Sequence, residues 1–200
     1  MNRYIRLDIY ERELRATEPN ADCCETGLLL TNWKGLTMMA NYNVLFLCTG
    51  NSARSIMAEA ILNKKAKSGF TAFSAGSHPS GKVRPEALKQ LAAAGISIEG
   101  LRSKSWDEFS VADAPVMNFV FTVCDNAANE VCPFWPGHPM TAHWGIPDPA
   151  AVTGTSDEIE RAFRDAYVIL DRRIGLFLSL PLATLEQLAL QKEIEKIGHA

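Results

Sequence analysis

The sequence predicts a single α/β domain built on a parallel sheet. Short apolar runs of strand length alternate along the chain with segments whose apolar residues recur at helical spacing. The runs are continuous rather than alternating, as expected of strands buried on both faces. Two cysteines, Cys48 and Cys124, each stand directly after such a run. In folds of this kind ligands sit at the carboxyl ends of the strands, so two strands would deliver two thiols to one edge of the sheet.

Residues 43–47 (NVLFL) read as the first strand. Residues 54–67 read as a helix, with Ile56, Met57, Ala60 and Ile61 forming one apolar stripe. A second strand is expected over 70–75, stopped by Gly76. The next helix, 85–94, starts at Pro85, carries Leu88, Leu91 and Ala92 on one face, and stops at Gly95. Residues 117–123 (MNFVFTV) are the third strand and 142–144 a short fourth. Thr155 and Glu158 have the spacing of a capping box, and Ile159, Phe163, Ala166, Ile169, Leu170, Ile174 and Phe177 continue at helical spacing until Pro181. A last helix, charged and amphipathic, is expected over 182–197, as a solvated face or an oligomer contact.

The chain has 200 residues, 47% of them hydrophobic, which suits one domain with a real core, here residues 41–200. Residues 1–40 fit the plan poorly. They read either as an N-terminal extension or as a misassigned start ahead of Met38. A formal net charge of −3 carries no basic footprint for nucleic acid, and the apolar runs are too short to span a bilayer. The charged N-terminus does not look like a secretory signal. Five cysteines, an odd number, then point to a reducing compartment, so a cytoplasmic protein with reactive thiols is expected.

The segment CTGNSARS, residues 48–55, is the least generic part of the chain. It lies between a buried strand and a helix, where loop N–H groups and the helix N-terminus face one space and favour an anion. Thr49, Gly50, Asn51, Ser52, Ala53 and Arg54 would line that space. The Arg54 guanidinium is a planar fork that can grip two oxygens of a tetrahedral oxyanion. Cys48 faces the same positive region, which is expected to lower its pKa toward neutrality. The Ser55 hydroxyl can hydrogen-bond the thiolate. Gly50 permits close backbone approach, and Asn51 can brace the loop or accept a positive φ. The competing account is a buried structural cysteine near a surface arginine.

This segment resembles the oxyanion loop of low-molecular-weight protein tyrosine phosphatases and of the arsenate reductases built on the same fold. The resemblance covers about residues 43–180 and implies a three-layer α/β/α domain with a four-stranded parallel sheet. It implies that Cys48 attacks phosphorus or arsenic while Arg54 binds the oxyanion. It also makes Asp148, in Asp148-Pro149, the general acid that protonates the departing oxygen. Outside the family, Asp-Pro would read as a turn or helix start.

The two branches differ after the first step, since a reductase needs two electrons from further thiols. Cys124 and Cys132, eight positions apart in a segment rich in Asn, Ala, Pro and Gly, are similar to the redox pair of thioredoxin-coupled arsenate reductases. The resemblance implies a Cys48–Cys124 disulfide with release of arsenite, then a Cys124–Cys132 disulfide reset by thioredoxin or another thiol donor. Ala150 and Ala151 follow Asp-Pro where the phosphatase branch usually has an aromatic residue. Reduction of arsenate is therefore the expected activity. A phosphatase for tyrosine phosphate or small phosphoesters is the alternative, and a non-catalytic oxyanion-binding module a third reading.

Some members of this type bind potassium beside the loop. Asn51 and Glu59 match two of its ligand positions, but residues 102–105 (RSKS) contain no carboxylate. No other cofactor is expected. His78, His138, His143 and His199 show no metal-ligand spacing with the cysteines. His143 and Trp144 are expected to pack the acid loop, Trp135 to flank the redox segment, and Cys23 and Cys24 to have no catalytic role.

Overall fold

The computed structural model describes residues 41–66, 68–124, 135 and 137–200. The expectations for residues 1–40, and for Cys132, lie outside the described residues. In chain order the elements are β1 (Tyr42–Cys48), α1 (Arg54–Lys65), β2 (Phe70–Gly76), α2 (Pro85–Ala93), a 3-10 turn (Trp106–Phe109), β3 (Phe119–Thr122), β4 (Met140–His143), a second 3-10 turn (Pro149–Ala151), α3 (Ser156–Leu178) and α4 (Gln187–Ile197).

The four strands pair in parallel in the order β2-β1-β3-β4. The chain runs from β1 to β2 on one side and returns to β3 on the other. That reversal at β1 opens a crevice beyond the carboxyl ends of β1 and β3. Register sets what stands there. Cys48 is opposite Gly76 on β2, Leu47 pairs with Thr122 on β3, and Cys124 follows β3 by two residues.

The apolar run of β1 is buried on both faces. Val44, Phe46 and Cys48 join the larger core with Met57, Ile61, Leu91, Phe163, Leu170, Ile174, Phe177, Leu190 and Ile194 from the four helices. Leu45 and Leu47 point to the opposite face. There they meet Val120, Met117, Trp135 and Phe109 of the first 3-10 turn. Both faces of the sheet are thus covered, which is why its strands read as unbroken apolar runs.

The expected capping box is present: the Thr155 side chain accepts from Glu158 N, and the Glu158 side chain accepts from Thr155 N. Two expectations change. The last helix begins at Gln187 rather than 182, because Thr184 N and Leu185 N donate to Pro181 O in a separate turn. It is also not simply a solvated face, since Leu190, Ile194 and Ile197 are buried. Trp144 lies in the core rather than in the acid loop. Its ring stacks on Phe121 with centroids 4.1 Å apart, and its Nε1 donates to Ile194 O at 2.9 Å. No helix among the described residues is long and apolar enough to cross a membrane.

Phe177 meets Phe70, Phe119, Phe121 and Trp144, each edge-on. Phe177→Ala leaves a cavity under three strands and is expected to cost about 3–5 kcal/mol of stability. Denaturant unfolding checks this: the midpoint should fall with its slope unchanged.

Candidate active site

The loop from Cys48 to Arg54 folds back on residues 76–84. Ser77 N, His78 N, Ser80 N and Arg84 N donate to the carbonyls of Cys48, Thr49, Gly50 and Ser52, at 2.9–3.3 Å. A planar trans peptide whose carbonyl is held on one side presents its N–H on the other. The loop amides are therefore turned inward, toward the start of α1. That helix has Ala53 at its N-cap, with no side-chain cap and no acidic residue in its first turn. Inward amides and an uncapped helix start together favour an anion.

Close approach makes this possible. A Cβ on Gly76 would lie 2.5 Å from Thr49 O and 2.9 Å from Asn51 N. β2 therefore has to end in glycine where the loop crosses it. Asn51 has φ 41°, a conformation that asparagine tolerates better than most residues.

Asn51 is completely buried, and its side chain is fully paired. Its Nδ2 donates to Ser55 Oγ and to Ser74 Oγ, both at 2.9 Å. Its Oδ1 accepts from Lys104 N at 2.7 Å, and its backbone N–H donates to Cys48 Sγ at 3.1 Å. Ser55 Oγ lies 2.9 Å from Cys48 Sγ. Ser55 accepts from Asn51, and once Cys48 is ionised the Ser55 hydrogen can only point at the sulfur as donor. The Ser55 hydroxyl and the backbone N–H groups of Ser55 and Asn51 thus converge on the Cys48 sulfur.

The expected fall of the Cys48 pKa is not found. Burial pushes the thiol up, and Cys124 nearby adds to the rise, while the Ser55 and Asn51 hydrogen bonds pull it down without cancelling burial. The Arg54 side chain is engaged elsewhere. Its Nη2 pairs with Asp148 Oδ2 at 2.9 Å and its Nη1 donates to Ile146 O at 3.2 Å. The guanidinium charge is balanced by a carboxylate rather than directed to the sulfur alone.

Asp148, which the resemblance makes the general acid, stands beside Arg54. The turn reading of Asp-Pro holds as well, for Asp148 Oδ1 accepts from Ala150 N at 3.1 Å and caps the second 3-10 turn. Cys124 is buried like Cys48, with its Sγ 3.7 Å from Thr49 Oγ1. The structure therefore brings Cys48, Ser55, Arg54, Asp148 and Cys124 to one sheet edge.

Sequence reasoning missed Ser74, Gly76 and Lys104. The Lys104 Nζ donates to Glu59 Oε2 at 3.1 Å, Ser74 Oγ at 3.3 Å and Arg102 O at 3.2 Å. Ser74 in turn donates to Glu59. Glu59, matched by sequence to a potassium ligand, therefore faces an ammonium. Those oxygens do not form an open ligand set for a second cation. Among the described residues, no group of three His, Cys, Asp or Glu could hold a metal ion.

Comparison with known proteins agrees with this geometry. Residues 43–193 match the low molecular weight phosphotyrosine protein phosphatase family. An arsenate reductase of Bacillus licheniformis is 38% identical over 139 residues, 70% of this chain and 96% of its own. One from Halalkalibacterium halodurans is 37% identical over 134 residues, 67% of this chain and 93% of its own. The crystal structure of an arsenate reductase from Archaeoglobus fulgidus superposes with TM-score 0.50 at 29% identity, covering 66% of this chain and 98% of its own. An arsenate reductase in a phosphate-binding state gives TM-score 0.56 at 25% identity, covering 67% and 94%.

Ser55→Ala removes a donor to the sulfur. The Cys48 pKa, already raised by burial, should move higher, so less thiolate is present at any pH below it. Iodoacetamide alkylation at pH 7 should slow by about tenfold, with its pH midpoint displaced upward. Gly76→Ala should push the Thr49–Asn51 backbone out of place. Since a misplacement of about 1 Å can cost about 100-fold, turnover of any oxyanion substrate should fall by that order while circular dichroism still reports a folded chain.

Proposed function

Because the chain belongs to the low molecular weight phosphotyrosine protein phosphatase family, we propose that it works on that scaffold as an arsenate reductase. The carrying observation is the second thiol. Hydrolysis of a phosphoester needs one nucleophilic cysteine, but here a second cysteine, Cys124, lies buried at the same sheet edge as Cys48. The names of the relatives support the same substrate.

In this reading arsenate enters the loop with its oxygens on the inward amides and on Arg54. The Cys48 thiolate, held by Ser55 Oγ and Asn51 N–H, attacks As(V). One oxygen leaves as water. Its proton comes from Asp148, which takes one up from solvent once the oxyanion displaces its carboxylate from the Arg54 fork. The Cys124 thiolate then attacks Cys48 Sγ. The S–As bond breaks and its electron pair stays on arsenic. Arsenite leaves as As(III), and a Cys48–Cys124 disulfide accounts for the two electrons. The third step, attack of Cys132 on Cys124 to free Cys48, rests on the sequence spacing. A dithiol donor of the thioredoxin class completes the cycle in a reducing compartment.

Burial of Cys48 and Cys124 suits this relay. A thiolate shielded from water meets arsenic before it meets oxidants. Ala150 and Ala151, in the turn after Asp148, offer no aromatic ring for a phosphotyrosine to stack on.

The test is arsenate-dependent NADPH oxidation with thioredoxin and its reductase. Wild type should turn over, and Cys48→Ser, Cys124→Ser and Cys132→Ser should each abolish it. Asp148→Asn should slow it by about 10²–10⁴-fold. A wild type that ignores arsenate but hydrolyses p-nitrophenyl phosphate, unaffected by Cys124→Ser, would make the protein a phosphatase instead.

A further inference from the structure

We propose that the Lys104 ammonium is a built-in monovalent cation. It orients the Asn51–Ser55–Cys48 hydrogen-bond chain, so that the oxyanion loop works without potassium. Lys104 is a positioning residue in this account, since it acts through Ser74 and Asn51 and not on the substrate.

Lysine is rarely buried, yet Lys104 is only 7% exposed. An ammonium has three N–H groups, and three oxygens receive them here: Glu59 Oε2 from α1, Ser74 Oγ from β2, and Arg102 O from the segment that precedes it. A partly buried carboxylate balances the charge. This is the environment a bare potassium ion would need, with oxygens from three separate parts of the chain and one negative charge. The site is filled by a cation that the chain carries itself. Residue 104 also occupies the Asn51 carboxamide oxygen through its own N–H. Both residues that sequence matched to a potassium site, Asn51 and Glu59, are therefore engaged by Lys104.

The hydrogen-bond directions give this cation a task. Ser74 Oγ accepts from Lys104 Nζ and from Asn51 Nδ2, so its single hydrogen goes to Glu59. With Ser74 held as an acceptor, Asn51 keeps its amide nitrogen toward Ser74 and Ser55, and its oxygen toward Lys104 N. Ser55 accepts from Asn51 and, once Cys48 is ionised, donates to the sulfur. Removing the ammonium takes one of the two donors from Ser74 and the counter-charge from Glu59. The Ser74 oxygen that receives Asn51 Nδ2 is then no longer fixed, and Ser55 loses its support through Asn51. A chain of polarised hydrogen bonds thus runs from a fixed positive charge to the nucleophile.

The proposal needs only that the loop binds an oxyanion, and its test avoids arsenate turnover. Thermal unfolding and inorganic phosphate affinity are measured in potassium, methylammonium and choline chloride at equal ionic strength, for wild type, Lys104→Ala and Lys104→Met. Wild type should melt alike and bind phosphate alike in all three salts. Lys104→Ala opens the position. In choline it should bind phosphate about tenfold more weakly, and potassium or methylammonium should restore most of that affinity and raise the melting temperature by about 3 °C. Lys104→Met fills the volume without charge and should stay weak in every salt. Three results overturn the proposal: a potassium response in wild type, a Lys104→Met variant that matches wild type, or a Lys104→Ala variant blind to both small cations. A protein that binds no phosphate at all would instead count against the oxyanion reading, and the melting comparison would still decide the role of Lys104.

Discussion

The buried carboxamide of Asn51 is the interaction on which the rest of the site depends. It stands at positive φ inside the loop and makes a hydrogen bond with every polar atom of its side chain. Each partner comes from a different part of the fold: the start of α1, the end of β2, and the segment before the first 3-10 turn. A buried amide left half satisfied would cost about 1–3 kcal/mol, so the loop has one low-energy shape. That shape turns the peptide N–H groups toward the oxyanion position and sets Ser55 against Cys48. Gly76 allows it by leaving room for the Thr49 and Asn51 backbone.

The sheet supplies the second constraint. Parallel pairing of β1 with both β2 and β3 places Cys48, Gly76 and Cys124 at one edge. Two stacked aromatics, Phe121 and Trp144, tie β3 to the segment leading to Asp148. Arg173, from α3, donates to Trp144 O and Gly145 O. Asp148 is thus carried by a segment anchored in the core, although its own side chain is 39% exposed at the surface. Such support fixes where an accessible carboxyl stands.

Opposed effects meet at Cys48. Burial raises its pKa, and hydrogen bonds lower it. A loop tuned only to ionise the thiol would leave the arginine free beside the sulfur. Here Arg54 is paired with Asp148, and an arriving oxyanion competes for the same fork. An anion that pairs with Arg54 therefore has to displace Asp148 from the same guanidinium.

The sequence by itself determined the strands, most helix limits and the capping box at Thr155, and it singled out Cys48, Arg54 and Asp148, which the fold brings to one sheet edge. These are local signals: unbroken apolar runs, helical periodicity, a proline and a glycine at helix ends, and a motif whose residues lie within one loop. Only the tertiary structure decided which distant residues complete the site. Ser74 is one polar residue in an apolar strand, and Lys104 one cation in a polar segment. Nothing in their neighbours along the chain marks either. They matter because β2, α1 and the 102–104 segment converge on Asn51, and convergence across more than fifty residues leaves no local periodicity to read. The raised pKa of Cys48 belongs to the same class, because it is set by burial and by the nearby Cys124, and both exist only once the chain is packed.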